Sequence, residues 1–209
     1  MSSLILRSSD LEWPFNDKSL NNWSLKEEKE CSELVEILRD EDDFPEEYSI
    51  KHRVYFYNDK EKHYWNKSSY WIYKNGEYYI RFNRDYPGTS AFAYIKQNNE
   101  EFLITSSQYM AICVINLTTK DIKHYAYGTY YTIKDEDGKD TSIFEGFCPI
   151  GIAIHNDELE IEGCFWGCPY ELLKFKVSNW NDLSIAELIS REDLDSEESD
   201  EDEEDEEDE

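Results

Sequence analysis

The 209-residue chain reads as a mainly β protein built from antiparallel meander sheets. First, the side chains alternate with period two from Tyr48 onward: Ile50, His52, Val54 and Phe56 stand against Lys51, Arg53, Tyr55 and Tyr57. Second, Asn75-Gly76 separates the aromatic runs 70–73 and 78–82. Such a pair marks a two-residue hairpin, because a type I′ turn needs positive φ at both positions. Third, no helical pattern of ten or more residues interrupts 48–177, which leaves no crossover helix to join parallel strands.

Taken in order, residues 1–47 form an N-terminal segment. Within it, Ser24-Leu-Lys-Glu27 has the form of a capping box, and Cys31, Leu34, Val35 and Leu38 follow at i, i+3, i+4 and i+7. The spacing predicts one amphipathic helix over 25–39, with Trp13, Phe15 and Trp23 as apolar anchors upstream. Residues 48–190 form the β domain. After the Asn-Gly hairpin, strands are expected at 91–95, 102–106, 110–116, 122–127, 130–134, 151–154, 159–163 and 171–177, with a further turn at Asp137-Gly138 and a short helical turn near 182–190. The trio 91–95, 102–106 and 110–115 resembles 151–154, 159–161 and 171–177 in order and character. Blade repeats of a β-propeller run to about 40–50 residues, so 48–177 supplies about three, below the usual minimum of ~4 for a ring. A sandwich, an open meander and a partial propeller therefore all fit. Residues 191–209 form an acidic tail.

Charge is distributed unevenly along this plan. The chain carries 48 acidic and 21 basic residues for a net charge of −27. The tail contributes 15 acidic residues and one basic, and 26–47 contributes 11 and 3. Residues 195–209 hold 13 carboxylates and no apolar side chain, a composition that predicts disorder. A surface this negative repels phosphate backbones and anionic lipid, which argues against direct binding of nucleic acid or membrane. The first residues lack the apolar stretch of about 7–15 that a signal peptide needs. No run approaches the ~20 apolar residues of a membrane span. The expectation is an intracellular protein, cytoplasmic or nuclear, whose five cysteines are reduced thiols.

The least generic segment is Gly163-Cys-Phe-Trp-Gly-Cys-Pro-Tyr-Glu171. Gly167 and Pro169 bracket a reversal that could bring Cys164 and Cys168 face to face. Buried thiols packed beside Trp166 are the plainest reading. A zinc site would need about two more ligands, for which Cys148 and His155 are nearest in sequence, at no standard spacing. A nucleophilic cysteine would need an electropositive setting, and Glu162 and Glu171 are negative. The string resembles one found in a group of uncharacterised β-rich proteins, some propeller-like, that carry Gly-Cys-aromatic-Trp-small-Cys-Pro-Tyr-Glu between two strands. The resemblance spans about residues 151–180 and implies a shared local structure without an activity.

His52, on the apolar face of its strand, reads as a core or edge residue, and His63, His124 and His155 lie in or beside turns. No phosphate loop, nucleophile elbow, metalloprotease motif or dinucleotide fingerprint is present, and no cofactor is expected. Sixteen tyrosines and six tryptophans exceed what one core of this size needs, so some of Tyr55, Tyr57, Tyr64, Trp65, Tyr70, Tyr73, Tyr130 and Tyr131 should line a surface. Cross-strand aromatic pairing on a solvent face accounts for them equally well. The function expected is that of a non-enzymatic protein-interaction module. Cys164, Phe165, Trp166, Cys168, Tyr170 and Glu171 are its candidate binding residues, and the partner is another protein. A chaperone-like protein that holds histones or other basic proteins through the tail is the first alternative. An enzyme built on Cys164 or Cys168 is the second.

Overall fold

A computed structural model of the protein describes residues 3–7, 24–31, 44–58, 64–84, 92–106, 111–134, 138–165 and 168–194. They form three open antiparallel sheets. The first runs β2 (Ser24–Cys31), β3 (Tyr48–Asn58), β4 (Tyr64–Lys74), β5 (Glu77–Arg84). The second consists of β6 (Phe92–Gln97), β7 (Glu100–Ser106), β8 (Ile112–Asn116) and β9 (Ile122–Lys134), with β1 (Ser3–Arg7) on the far side of β9 and β10 (Asp140–Gly146) along its second half. The third runs β11 (Cys148–His155), β12 (Glu158–Cys164), β13 (Glu171–Lys176), β14 (Glu187–Asp193). A 3₁₀ turn at Leu183–Ile185, whose Ser184 amide donates to the Asp182 carboxylate, leads into β14. Among the described residues there is no α-helix, no closed barrel or propeller, and no helix long and apolar enough to cross a membrane.

The helix expected over 25–39 is therefore corrected where it can be seen. Ser24 to Cys31 pairs with β3, from Ser24 opposite Asn58 to Cys31 opposite His52. Residues 32–39, the anchors at 13, 15 and 23, and the acidic tail from Asp195 lie outside the described residues. Strand β14 runs to Asp193, past the boundary drawn at residue 190 from charge alone. The expected strands 122–127 and 130–134 form a single strand, β9, and both β1 and β10 are additional.

The hairpin at Asn75-Gly76 forms as expected, with φ of 52° and 83°. Asn98-Asn99 (52°, 65°) and Asn156-Asp157 (51°, 65°) close β6–β7 and β11–β12 in the same left-handed way. Asn and Asp tolerate that region because their short polar side chains bond locally to the backbone. The sequence repeat is thus present as two meanders, β6–β8 and β11–β13.

The second sheet is the middle layer. In β7 and β8 successive residues point to opposite sides, and both sides are covered: Phe102, Ile104, Ile112 and Val114 pack with Ile152, Leu159, Ile161, Leu173 and Phe175 of the third sheet. Leu103, Cys113 and Ile115 pack with Tyr48, Ile50, Tyr70, Ile72, Ile80 and Phe82 of the first. Two-sided burial explains why 112–115 is an unbroken apolar run while β3 alternates. Among the described residues no further layer covers the outer faces of the first and third sheets.

Candidate functional site

The string at 163–171 ends β12 and begins β13, and its residues divide between core and surface. Phe165 is buried, with its ring against Tyr127 and Phe147. Glu171 is buried too, and forms an ion pair with Arg191 of β14 through both carboxylate oxygens at 2.5 Å. The Arg191 guanidinium lies 5.6 Å from the Phe165 ring centre, so Phe165, Glu171 and Arg191 together anchor the last strand. Neither Phe165 nor Glu171 presents itself to a partner, as the sequence reading had supposed. Cys168 and Tyr170 are exposed, and Cys168 closes a turn by donating its amide to the Phe165 carbonyl at 3.0 Å. Trp166 lies outside the described residues.

Cys164 stands directly opposite Cys148 in the β11–β12 register, next to a bulge at 149–151. Both are thiols, Cys148 buried and Cys164 half-buried. Gly163 sets this approach: a Cβ there would overlap the Cys148 carbonyl and lie 2.6 Å from the Phe147 ring. His155 sits at the other end of β11, roughly 23 Å away at ~3.3 Å per residue, so it cannot join Cys148 on one metal. Among the described residues no group of three or more His, Cys, Asp or Glu stands close enough to hold an ion.

A different face carries the more organised chemistry. On the outer side of the first sheet, Trp71 lies between two guanidinium groups, Arg53 at 5.4 Å and Arg81 at 5.1 Å from its ring, and the Lys51 ammonium lies 5.3 Å from the Tyr73 ring. Lys51, Arg53 and Arg81 are exposed, Trp71 and Tyr73 half-buried. Lys51, Arg53, Trp71 and Tyr73 line a depression of about 170 Å³. Arg81 is steadied by a 3.1 Å hydrogen bond from its guanidinium to Ser69. Register fixes this arrangement: Lys51 is opposite Trp71, and Trp71 opposite Arg81. Of the aromatics expected to line a surface, Tyr73 belongs here and Tyr130 is exposed, whereas Tyr70 points inward and is 1% exposed, stacked between His52 and Phe82. Tyr57, Tyr64, Trp65 and Tyr131 belong to strands β3, β4 and β9. The sequence reading had listed Tyr73 without Trp71 and its cations. Counting back from the Asn-Gly turn puts 73 and 71 on the same face as 51 and 53, which was the available signal.

Consecutive glutamates at the start of β7 tie the three sheets together. Glu101 turns toward the first sheet, where it accepts hydrogen bonds from the Tyr48 and Tyr94 hydroxyls, each 2.9 Å, while the Lys74 ammonium donates to the Tyr48 oxygen at 2.8 Å. Burial alone would raise the Glu101 carboxyl, but these two hydroxyls and the Lys74 and Lys96 charges outweigh it and hold it below its ordinary range. Burial pushes the Tyr48 phenol up to about 12. Glu100 turns the other way and accepts from the Asn116 and Asn181 amides at 3.0 and 2.8 Å, and the Asn181 carbonyl accepts from Lys123. Both clusters act as clasps. No protein-family model, curated protein or solved structure matches the chain.

Proposed function

We propose that the protein is a non-enzymatic protein-interaction module whose recognition surface is the outer face of β3–β5. The observation that carries this reading is the stack of Arg53, Trp71 and Arg81 beside the Lys51–Tyr73 pair. Trp, Tyr and Arg dominate binding hot spots because they bury much area at small entropic cost. The positive charges of Lys51, Arg53 and Arg81 suit this face to an acidic partner segment. The cysteine-enzyme alternative has less support, since Cys164 neighbours Cys148 and the Glu162 side chain, with His155 far along the strand.

The test is retention of native-host proteins by the full chain, by a Trp71→Ala, Arg81→Glu variant and by Tyr170→Ala, each checked for an unchanged circular dichroism spectrum. The expected result is a protein retained by wild type and Tyr170→Ala and lost by the double variant. Loss only with Tyr170→Ala would move recognition to the 163–171 string. Retention indifferent to both would reject an aromatic docking face.

A further inference from the structure

We infer that Cys148 and Cys164 are a redox site: they join in a disulfide when the protein meets a peroxide, and thereby staple β11 to β12. Directly opposed residues of antiparallel strands have Cα atoms about 4.5–5.5 Å apart and side chains on the same face, inside the ~4.4–6.8 Å range that a disulfide spans. Cys148 and Cys164 are such partners, and both are thiols. The neighbouring Pro149–Gly163 pair presses the strands together, because only a residue without Cβ fits beside the Cys148 carbonyl. No comparable register joins Cys164 to Cys168, which is exposed beyond the end of β12.

Cys164 is the more accessible member and reacts first. Its thiolate sulfur attacks one peroxide oxygen, the O–O bond breaks, and the departing hydroxide takes up a proton to become water, leaving Cys164 as a sulfenic acid. The Cys148 thiolate then attacks the Cys164 sulfur and displaces hydroxide, which also leaves as water. Two thiols and one hydrogen peroxide thus give one disulfide and two waters, and the two sulfurs together lose the two electrons that the peroxide gains.

Intact mass of the full chain after hydrogen peroxide treatment should fall by about 2 Da for two lost thiol hydrogens and recover with dithiothreitol. Cleavage after glutamate separates residues 146–158 from 163–171, and these fragments should emerge joined. Cys168→Ser should leave the joined pair intact, which assigns it to Cys164, and Cys148→Ser should let dimedone trap the Cys164 sulfenic acid. A 2 Da loss abolished by Cys168→Ser, or dimedone capture of Cys164 in wild type without joined fragments, overturns the inference. The wild-type fragment map stands even if a variant misfolds.

Discussion

Gly163 and Glu101 show how much of this fold depends on single side chains. A methyl group at residue 163 has no room between Phe147 and the Cys148 backbone, so Gly163→Ala forces β11 and β12 apart. An overpacked core site of this kind costs about 1–3 kcal/mol, to be read from urea unfolding; a loss under 0.5 kcal/mol would mean that the strands part without strain. Glu101 makes its contribution as a carboxylate. Its folded pKa lies below the ordinary value of 4.5, so the stability it adds is complete above that value and is lost as pH falls through the depressed one. The acid limb of the stability curve should therefore be steeper in wild type than in Glu101→Gln, with the two curves converging as pH falls through that depressed value. Curves that stay parallel from pH 6 to 3 would place the acid sensitivity elsewhere. Tyr48→Phe removes the hydroxyl that bridges Lys74 and Glu101 and should cost about 1–3 kcal/mol at neutral pH by the same unfolding measurement, with no change of fold.

Among the strands, those with a buried face or a signature turn are legible in the sequence, and those held only by backbone pairing are not. Period two marks β3, and the Asn-Gly pair fixes the β4–β5 register, because one face of that sheet must pack Ile50, Tyr70, Ile72 and Phe82 inward. Strand β10 is mostly exposed and is recruited by ladder bonds to β9, so it carries no apolar pattern to read. Strand β2 misled the helix reading for a related reason. Ser-Leu-Lys-Glu-Glu-Lys-Glu-Cys is rich in helix formers, yet the free edge of β3 offers eight residues of pairing, and tertiary context overrides propensity. The 163–171 string was legible as a special turn, but its role was not. Phe165 and Glu171 serve the core and the anchor of β14, and that depends on Arg191, twenty residues on, which local spacing does not reveal. Arg191→Ala should leave Glu171 a buried carboxylate with its main counter-charge gone. The loss is up to about 3 kcal/mol, at the low end for such pairs because Arg191 is 49% exposed. Amide exchange in 187–193 should rise before that of β12; equal protection in variant and wild type would show that the ladder alone holds β14.

Stacking three meanders buries the middle one on both faces and leaves two outer faces of opposite tendency. The first sheet presents Lys51, Arg53 and Arg81, whereas the third presents Glu160, Glu162 and Glu192 around Lys174, and the Leu194 amide bonds the Tyr170 carbonyl immediately before 13 further carboxylates. Residues 191–209 carry 15 acidic side chains and one basic, against the chain's net charge of −27. The tail composition suits capture of a basic protein such as a histone. Its reach is short, because the Debye length is about 8 Å at 0.15 M salt, and each contact displaces counterions that added salt restores. Removing 195–209 should leave the thermal midpoint within about 1 °C, since no described core residue lies beyond Leu194. It should also abolish histone binding, and binding by the full chain should weaken steeply between 0.05 and 0.3 M salt, values set on the order of the screening range. Binding that survives deletion, or that ignores salt, would assign histone affinity to the folded sheets. No binding by either form would leave the carboxylates a solubilising role.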